Sequence, residues 1–447
     1  MAGTRIRCAE GERCSAWDEP VSRARQAQAV LTHITGNRTV STAIPPDGHI
    51  APSTIDKRLM CLLQASEHMA VELVTNIEQF GLLQPEWREL DASVAVPLPF
   101  GTSDWVHCWW RHLSSNRAAV RDRMFTLAVR DASHRLIGVA PMMITERPGA
   151  GPLRMRCLQF IGTDPNITEI CGVGARSGYE EAVYREILTY VRRSHLLWDW
   201  MQWTGIHRAG AAVVQPDVAA WKGETCCWVL PLAPSWDEFK TRLSRNMKEA
   251  LRKSINAPKR DGVELRLEVV TRQDDVGPAL DRFFVLHASR AKLNETIRHP
   301  DVFRLPAARD FLRDVCKRFA RRGIAHLFNL KHGATTVATR IGFRLGSSMY
   351  LYFSGYDPEY GRYSAMTRCL AGAICWSIDA GLKTVNLSTG TDISKTRWRP
   401  QQHAFLEATL ITPTFRARAA HAVYTCSEQL AATSARILLM QFARRPA

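Results

Sequence analysis

The chain has 447 residues, of which 46% are hydrophobic and 23% charged, with a formal net charge of +16 and a sequence pI near 9.6. This composition excludes a wholly disordered chain, and the length allows two or three domains with ordinary buried cores. The positive charge predicts an anionic partner, but it does not distinguish a phosphorylated ligand, nucleic acid, a membrane surface and an acidic saccharide.

Several classes of protein and site are disfavoured by patterns that the sequence lacks. No apolar run has the length of a bilayer span, and the N-terminus has no apolar stretch of the signal-peptide type, so we expect a cytoplasmic protein. The 12 cysteines include no CxxC pair, and His107 and His112 do not have the i, i+4 spacing of helical ligands. We therefore expect reduced thiols and no metal. A P-loop and a GxSxG elbow are also absent.

The first part of the chain divides into an irregular segment and a region of strands. Residues 1–68 are rich in turn formers and have no sustained period, so we expect a mobile extension. Residues 69–235 read as a first domain with one strand-strand-strand-helix-strand unit. Its strands are expected at 124–130, 135–144, 154–162 and 198–205, with the helix at 179–193.

A basic amphipathic helix is predicted to connect this domain to the next, over residues 236–262. Its apolar positions recur at helical spacing, at Trp236, Phe239, Leu243, Met247, Leu251 and Ile255. Residues 240–260 carry eight Lys or Arg and one Glu. The basic face fits either a surface that steers an anionic ligand or an ordinary solvated helix face.

Residues 263–412 repeat the element order of the first domain, and a helical tail follows at 413–447. The second set of strands is expected at 324–330, 335–345, 349–355 and 384–389, with a helix from Met366 to a stop at Gly381. The repeated order predicts an α/β protein with mixed sheets, made of two tandem duplicated domains that each build a sheet with covering helices. The alternative is two unrelated domains that share an element order.

The turn between the strand at 349–355 and the following helix has the features of an anion site. Asp357 and Pro358 break the strand, and Ser364 is placed to cap the helix. A helix N-terminus presents free backbone amides, and Arg362 adds positive charge beside it. A phosphate group is the ligand that this arrangement predicts.

The same turn and the strand after it resemble a known family, on the segments YFSGYDPEYGRYSAM and AICWSIDAGLKTVNLSTGTDISKTRW. They are similar to the acetyltransferases of the cellulose and exopolysaccharide biosynthesis type, a branch of the GNAT superfamily. The resemblance covers roughly residues 97–407, and the positions that carry it are Tyr352, Gly355, Asp357, Pro358, Tyr360, Ser364, Gly390, Lys395 and Trp398. Ala365 and Met366 depart from it, because proline and glycine are usual there.

The resemblance implies acetyl-CoA, or another acyl-CoA, as co-substrate, with no metal. The pyrophosphate would be bound at the turn, for which the candidate residues are Tyr356, Arg362, Ser364, Ala365 and Met366. The first domain has Glu169, Glu180 and Glu181 in the corresponding stretch, where they would repel a pyrophosphate. We therefore expect one coenzyme A per chain, bound by the second domain, while the first domain shapes the acceptor cleft.

Direct acyl transfer to an amine needs a proton acceptor, a stabilised oxyanion and a protonated leaving thiolate. Candidate catalytic residues are Asp392, as base or orienting group, Lys395, as oxyanion or acceptor ligand, and Tyr360, as proton donor to the thiolate. An ion pair between the first two and simple packing of the tyrosine are the structural alternatives.

Three further residues are predicted to bind the acceptor. His287 and Arg290 share one helix face, and Trp398 follows the candidate catalytic loop. Each also has a structural alternative, since a histidine on an apolar helix is often a core residue and a tryptophan often packs.

The predicted function is N-acyl transfer, with acetyl as the expected acyl group, to an amine on a sugar or sugar-lipid precursor of a polysaccharide. One alternative is an enzyme that uses aminoacyl-tRNA, because the doubling also resembles the peptidyltransferases that add amino acids to peptidoglycan. Another is a non-catalytic subunit of a polysaccharide synthase. Expected partners are a small-molecule or glycan-precursor amine and a membrane polysaccharide synthase, with tRNA only under the first alternative and no DNA.

Overall fold

The structure is a computed structural model that describes residues 69–149, 154–163, 166–293 and 299–443, with side chains to residue 430. The predicted mobile extension lies outside the described residues. No helix within these ranges is long and apolar enough to cross a membrane. The described His, Cys, Asp and Glu residues form no group that could hold a metal ion.

The first half of the chain contains nine strands and four α-helices among its described residues. In chain order they are β1 (Ala70–Val74), α1 (Ile77–Asp91), α2 (Ser103–Leu113), β2 (Arg121–Met124), β3 (Thr126–Arg130), β4 (Leu136–Ala140), β5 (Met142–Pro148), β6 (Arg154–Phe160), β7 (Gly174–Ala175), α3 (Glu180–Arg193), β8 (Trp200–Ile206), α4 (Arg208–Val214) and β9 (Ala220–Pro231).

The second half follows with the remaining helices and strands of the described chain. They are α5 (Trp236–Thr241), α6 (Arg245–Arg260), β10 (Leu265–Val270), α7 (Gln273–Ala291), α8 (Pro306–Arg321), β11 (Ala325–His332), β12 (Thr335–Leu345), β13 (Ser348–Tyr356), α9 (Ala365–Asp379), β14 (Thr384–Thr389), α10 (Ile393–Thr396), β15 (Gln401–Ile411) and α11 (Phe415–Ala443). A 3-10 turn, Pro358–Tyr363, joins β13 to α9.

The two halves repeat one architecture, which confirms the predicted duplication. In the second half β10, β11, β12 and β13 pair antiparallel in that order, and β13 then pairs parallel with β14. The first half has the same order of strand pairing. There β2 and β3 together take the place of β11, and β4 and β5 together take the place of β12. The repeat also includes the leading strand and two helices, α1 and α2 in one half and α7 and α8 in the other.

The two halves exchange their last strands. β9, which follows the first unit, pairs with β14 of the second, and β15, which follows the second unit, pairs with β8 of the first. β9 and β15 also pair with each other, so an 11-stranded sheet runs through both halves, beside a sheet of β1, β3, β4 and β7. The expectation that each copy builds a separate sheet is therefore wrong.

Helices cover both faces of the second half's sheet. Successive residues of a strand point to opposite faces, and accordingly Leu327 belongs to a core with α7 and α8 while Phe328 belongs to a core with α6 and α9. The first of these cores also includes α1 and α2. The Trp105 ring, on α2, contacts the rings of Phe311 and Tyr352 at centroid distances of 5.1 and 5.6 Å. Both halves thus share one apolar core.

The connecting helix predicted over residues 236–262 is two helices in the structure. α5 ends at Thr241, and the Ser244 hydroxyl accepts a hydrogen bond from the Met247 amide, which starts α6 as a separate helix. The apolar positions predicted for one stripe still pack, since Phe239, Leu243, Met247 and Leu251 are all buried. A serine N-cap inside an otherwise helical period is the local signal for this break.

Candidate functional site

Strands β13 and β14 diverge in the second half and leave a cleft between them. Their parallel pairing covers only three residue pairs and ends at Tyr350 and Asn386. Beyond that point Tyr352 and Phe353 together oppose the single residue Ile341 of β12, which is a β-bulge. Bulges bend a strand and free backbone groups, and they occur often beside active sites.

Glu169 reaches this cleft from the first half of the chain. Its carboxylate accepts a hydrogen bond from the Tyr350 hydroxyl, on β13, and another from the Ser388 hydroxyl, on β14, at 2.8 Å. The carboxylate therefore bridges the two diverging strands. Burial raises the pKa of Glu169 above its ordinary value and outweighs the opposing effect of the two hydrogen bonds.

The segment that carries Glu169 is fixed by the core shared between the halves. The Trp105 indole donates to the Thr168 hydroxyl at 3.2 Å, and the Tyr352 hydroxyl donates to the Ile167 carbonyl. This segment follows β6, so the sequence analysis placed Glu169 at the first half's own anion turn. The structure corrects that placement, because Glu169 lies on the second half's cleft while α3 begins only at Glu180.

Lys395 and Asp392 lie at the carboxyl end of β14, where the sequence predicted them. The Lys395 ammonium donates to the Thr389 carbonyl and lies 3.7 Å from an Asp392 oxygen. Burial lowers the pKa of Lys395, although the carboxylates of Glu169 and Asp392 favour its charged form. Burial would raise the pKa of Asp392, but the Ser394 hydrogen bonds and the Lys395 charge outweigh it and lower that pKa.

Arg340 is a further cation near this group that the sequence analysis did not single out. It lies on β12 opposite Ser354 of β13, and its Nε atom has no hydrogen-bond partner among the described residues. Burial lowers the pKa of Arg340 to about 10, while Asp392 and Glu169 act in the opposite direction. No local sequence signal marks Arg340, since it lies within an alternating strand.

His287 and Arg290 converge on Ser354 from helix α7. The His287 ring contacts the Ser354 carbonyl at 3.1 Å through Nδ1, and Arg290 donates to the Ser354 hydroxyl at 2.9 Å. Arg290 also lies 2.7 Å from His299. His287 is buried among Phe283, Phe303 and other rings, and burial lowers the pKa of His287, which favours its neutral form.

The turn before α9 has the position that the sequence predicted, but its serine does not act as a side-chain cap. Ser364 has a left-handed backbone with φ of 54°, and its amide closes the preceding turn on Gly361. Its side chain makes no capping hydrogen bond to α9. Ser364 and Arg362 are exposed, whereas Ala365 is buried and Met366 half-buried. The first amides of α9 are thus left without a serine cap.

The Tyr360 hydroxyl, in the turn, points to another part of the second half. The Tyr360 hydroxyl lies 2.8 Å from Nδ1 of His332, at the end of β11, and Tyr356 ends β13. Lys395 instead contacts Thr389 of β14, and β12 and β13 separate β11 from β14 in the sheet. The structure therefore brings Glu169, Asp392 and Lys395 together and places Tyr360 with a different partner.

Trp398 lies in the core of the second half. Its side chain is only 2% exposed, and its ring lies 6.5 Å from that of Phe239. The short helix α10 and the turn after it carry Lys395 toward the cleft and Trp398 inward. In this structure the indole is a packing group beneath the candidate catalytic loop and not a surface of the cleft.

In the first half, the segment after β6 contacts the end of β8. The Thr204 hydroxyl, near the end of β8, donates to the Cys171 carbonyl at 3.1 Å. The approach is so close that a Cβ atom at Gly205 would lie 2.2 Å from the Cys171 carbonyl oxygen. Residues Gly174–Ala175 then pair with β4. A cavity of about 330 Å³ remains beside this contact, and Gly205 is part of its lining.

The second half matches a family model, and the chain is similar to solved structures. The family model of the acetyltransferase (GNAT) domain matches residues 245–398, which contain β13, the turn, α9, β14 and Lys395. The crystal structure of FemX is similar over 75% of this chain and 98% of that chain, with a TM-score of 0.51 and 8% identity. The C-terminal domain of a putative lysylphosphatidylglycerol synthetase from Agrobacterium fabrum is similar over 78% of this chain and 96% of that chain, with a TM-score of 0.45 and 10% identity.

The comparison with curated proteins found no match. The chain therefore contains a GNAT-type acetyltransferase domain in its second half, within a tandem of two GNAT-like units whose overall fold is shared with FemX.

Proposed function

We propose that the protein is a GNAT-type N-acyltransferase whose second half binds an acyl-CoA between β13 and β14. The observation that carries the proposal is the group formed by Glu169, Lys395 and Asp392 where these strands diverge. The family match over residues 245–398 supports acyl transfer as the reaction class.

In this proposal the substrate lies along the cleft with its pyrophosphate at the uncapped start of α9. The first amides of a helix and its dipole favour an anion there, and Arg362 adds charge beside them. The thioester would then lie beside the bulge at Tyr352–Phe353. Tyr356, Ala365 and Met366 line the turn as positioning groups.

The chemistry requires one proton transfer on each side of the thioester. The acceptor nitrogen attacks the carbonyl carbon, its proton passes to the Glu169 carboxylate, and the C–S bond breaks to release the thiolate, which takes up a proton from solvent. A raised pKa makes Glu169 a stronger base than an ordinary carboxylate. Lys395 offers a buried cation to the developing oxyanion, while Asp392 holds that cation in place.

The proposed acceptor is an amine on a sugar or sugar-lipid precursor of a polysaccharide. This part rests on the resemblance of the turn and of the Lys395 loop to the cellulose-biosynthesis acetyltransferases. The cations Arg290 and Arg340 beside the cleft support an acceptor that carries an anionic group. His287 and Arg290 would position it through Ser354, and Trp398 would support the loop from below.

An aminoacyl-tRNA donor is the second candidate, because the exposed face of α6 is strongly basic. Mass spectrometry of ligands that co-purify with the protein separates the two donors. Coenzyme A or its thioester supports the first proposal, and tRNA supports the second. A protein that carries neither, and that neither binds nor turns over acetyl-CoA, would fit a non-catalytic subunit.

A further inference from the structure

A groove between α6 and α9 has no role in the proposed acyl transfer. It lies on the face of the sheet opposite α7, α8 and Glu169, and its volume is about 450 Å³. Leu251, Leu267 and Leu330 line it. Gly372 keeps it open, because a Cβ atom there would lie 3.0 Å from the Leu267 side chain.

The rim of this groove is positively charged. Lys240 and Lys248, with Arg252 and Arg368, surround the apolar lining. Lys248 donates a hydrogen bond only to the Thr241 carbonyl, and Arg368 donates one to the Leu265 carbonyl. Within the described chain, neither Lys248 nor Arg368 has a carboxylate within 4 Å. Arg252 pairs with Glu249 at 2.6 Å, but both side chains are exposed, and exposed pairs contribute little.

The exposed face of α6 extends this charge along the groove. Its residues at successive turns are Arg245, Lys248, Arg252, Ile255 and Lys259, and all five are exposed. Ile255 is 41% exposed and also lines the groove. A cluster of cations on an exposed helix face is attracted to an anionic membrane surface, and an exposed apolar side chain among them can enter the headgroup boundary.

We propose that this groove docks the protein on an anionic lipid bilayer. Lipid phosphates contact Lys248 and Arg252, while Ile255 and the leucine-lined groove take the apolar part of the lipid near the headgroup boundary. The apolar lining favours lipid over a single nucleic-acid strand, since single strands are bound largely by stacking on aromatic side chains and Trp236 is the one aromatic residue among the described residues that line the groove. The proposal does not depend on the acyl-transfer assignment.

Vesicle flotation tests the docking. We expect the full-length protein to bind vesicles of phosphatidylcholine with phosphatidylglycerol, to ignore phosphatidylcholine alone, and to be released by salt. The variant Lys248→Glu/Arg252→Glu should bind the anionic vesicles about thirtyfold more weakly or worse, since each of the two cations near the surface contributes about a fivefold factor. Ile255→Ser should also weaken binding, whereas Leu82→Ser, at a residue that is 81% exposed on α1, should not.

The matched control is Arg117→Glu/Lys317→Glu, which changes the net charge equally at two exposed residues outside the groove. An equal loss of binding in the control would overturn the proposal, because it would show a general effect of net charge. Equal binding to vesicles without phosphatidylglycerol would also overturn it. If single-stranded RNA binds and vesicles do not, the groove is a nucleic-acid site and the proposal fails. Circular dichroism confirms that each variant is folded.

Discussion

The Tyr350 hydroxyl, in the second half, donates a hydrogen bond to the carboxylate of Glu169, which comes from the first half. Ser388 donates to the other carboxylate oxygen, so the proposed base is held by both strands of the cleft. The proposed active site is therefore built from both halves of the duplicated chain, although the proposed acyl-CoA turn belongs to the second half alone.

Replacement of Glu169 tests its role as the general base. Glu169→Gln preserves the shape of the side chain but cannot accept the proton, so kcat should fall by about 10²- to 10⁴-fold while acetyl-CoA binding is retained. Steady-state kinetics and calorimetric titration measure the two effects. Unchanged kcat in this variant would show that the carboxylate is structural.

The pH dependence of kcat/KM should show the titration of Glu169. Only the carboxylate accepts a proton, so kcat/KM should rise with pH, with a midpoint above the ordinary 4.5 because burial raises the pKa of Glu169. Tyr350→Phe removes a hydrogen bond that lowers this pKa, so it should move the midpoint to higher pH. If kcat/KM rises with pH at the same midpoint in wild type, Tyr350→Phe and Glu169→Gln, the titration belongs to a group other than Glu169.

Lys395 and Asp392 should contribute to turnover and not to donor binding. Lys395→Met and Asp392→Asn should each lower kcat by about two orders of magnitude or more, the usual size of an oxyanion or acid-base contribution. Asn can still accept the hydrogen bond from Ser394, so the melting temperature of that variant should not change. If both variants acetylate the acceptor at the wild-type rate, the loop has only a structural role.

Acetyl-CoA binding should depend on the charge of the side chain at Met366, in the first turn of α9. An aspartate there would place a negative charge in the first turn of α9 beside the proposed pyrophosphate, so Met366→Asp should weaken acetyl-CoA binding. Met366→Asn has nearly the same shape without the charge and serves as the control. Calorimetric titration compares the two, and equal affinities would place the donor elsewhere.

The chain should bind one coenzyme A. Glu180 and Glu181 lie in the first turn of α3, where they disfavour a pyrophosphate, so a titration of the full-length protein should give a stoichiometry near one. A fragment that begins at Trp236 lacks β9, the strand between β14 and β15, and should not fold as a stable domain. A stoichiometry near two would contradict the assignment.

The approach of α7 to β13 should make Gly355 indispensable. A Cβ atom there would lie 2.4 Å from the His287 backbone nitrogen, so Gly355→Ala should destabilise the protein by about 2 kcal/mol or more. Gly277 lies on the same helix α7 with nothing within 4 Å, so Gly277→Ala should stabilise it by up to about 1 kcal/mol. Urea unfolding measures the stability of both variants. Similar stabilities would contradict the close packing of α7 against β13 at Gly355.

Features that depend on neighbouring residues could be predicted from the sequence. Strand alternation and turn residues gave β12 and β14 at their observed bounds, Gly381 lies in the left-handed conformation just after α9, and the repeated element order indicated the duplication. The loop with Asp392 and Lys395 was found because it follows a recognisable strand. Ser364 was placed correctly but its side chain was not, because a left-handed backbone turns the hydroxyl away from the helix amides.

Only the tertiary structure decided what depends on distant contacts. Backbone pairing between strands carries little sequence information, so nothing within β9 or β15 indicated that each would pair with the other half's strand. Glu169 appeared local to its own half, yet contacts from Trp105 and Tyr352 fix its segment across the second half's cleft. Trp398 appeared available to a ligand, but the turn after α10 directs it into the core. Local propensity determined the elements, whereas packing between the halves determined which side chains meet in the cleft.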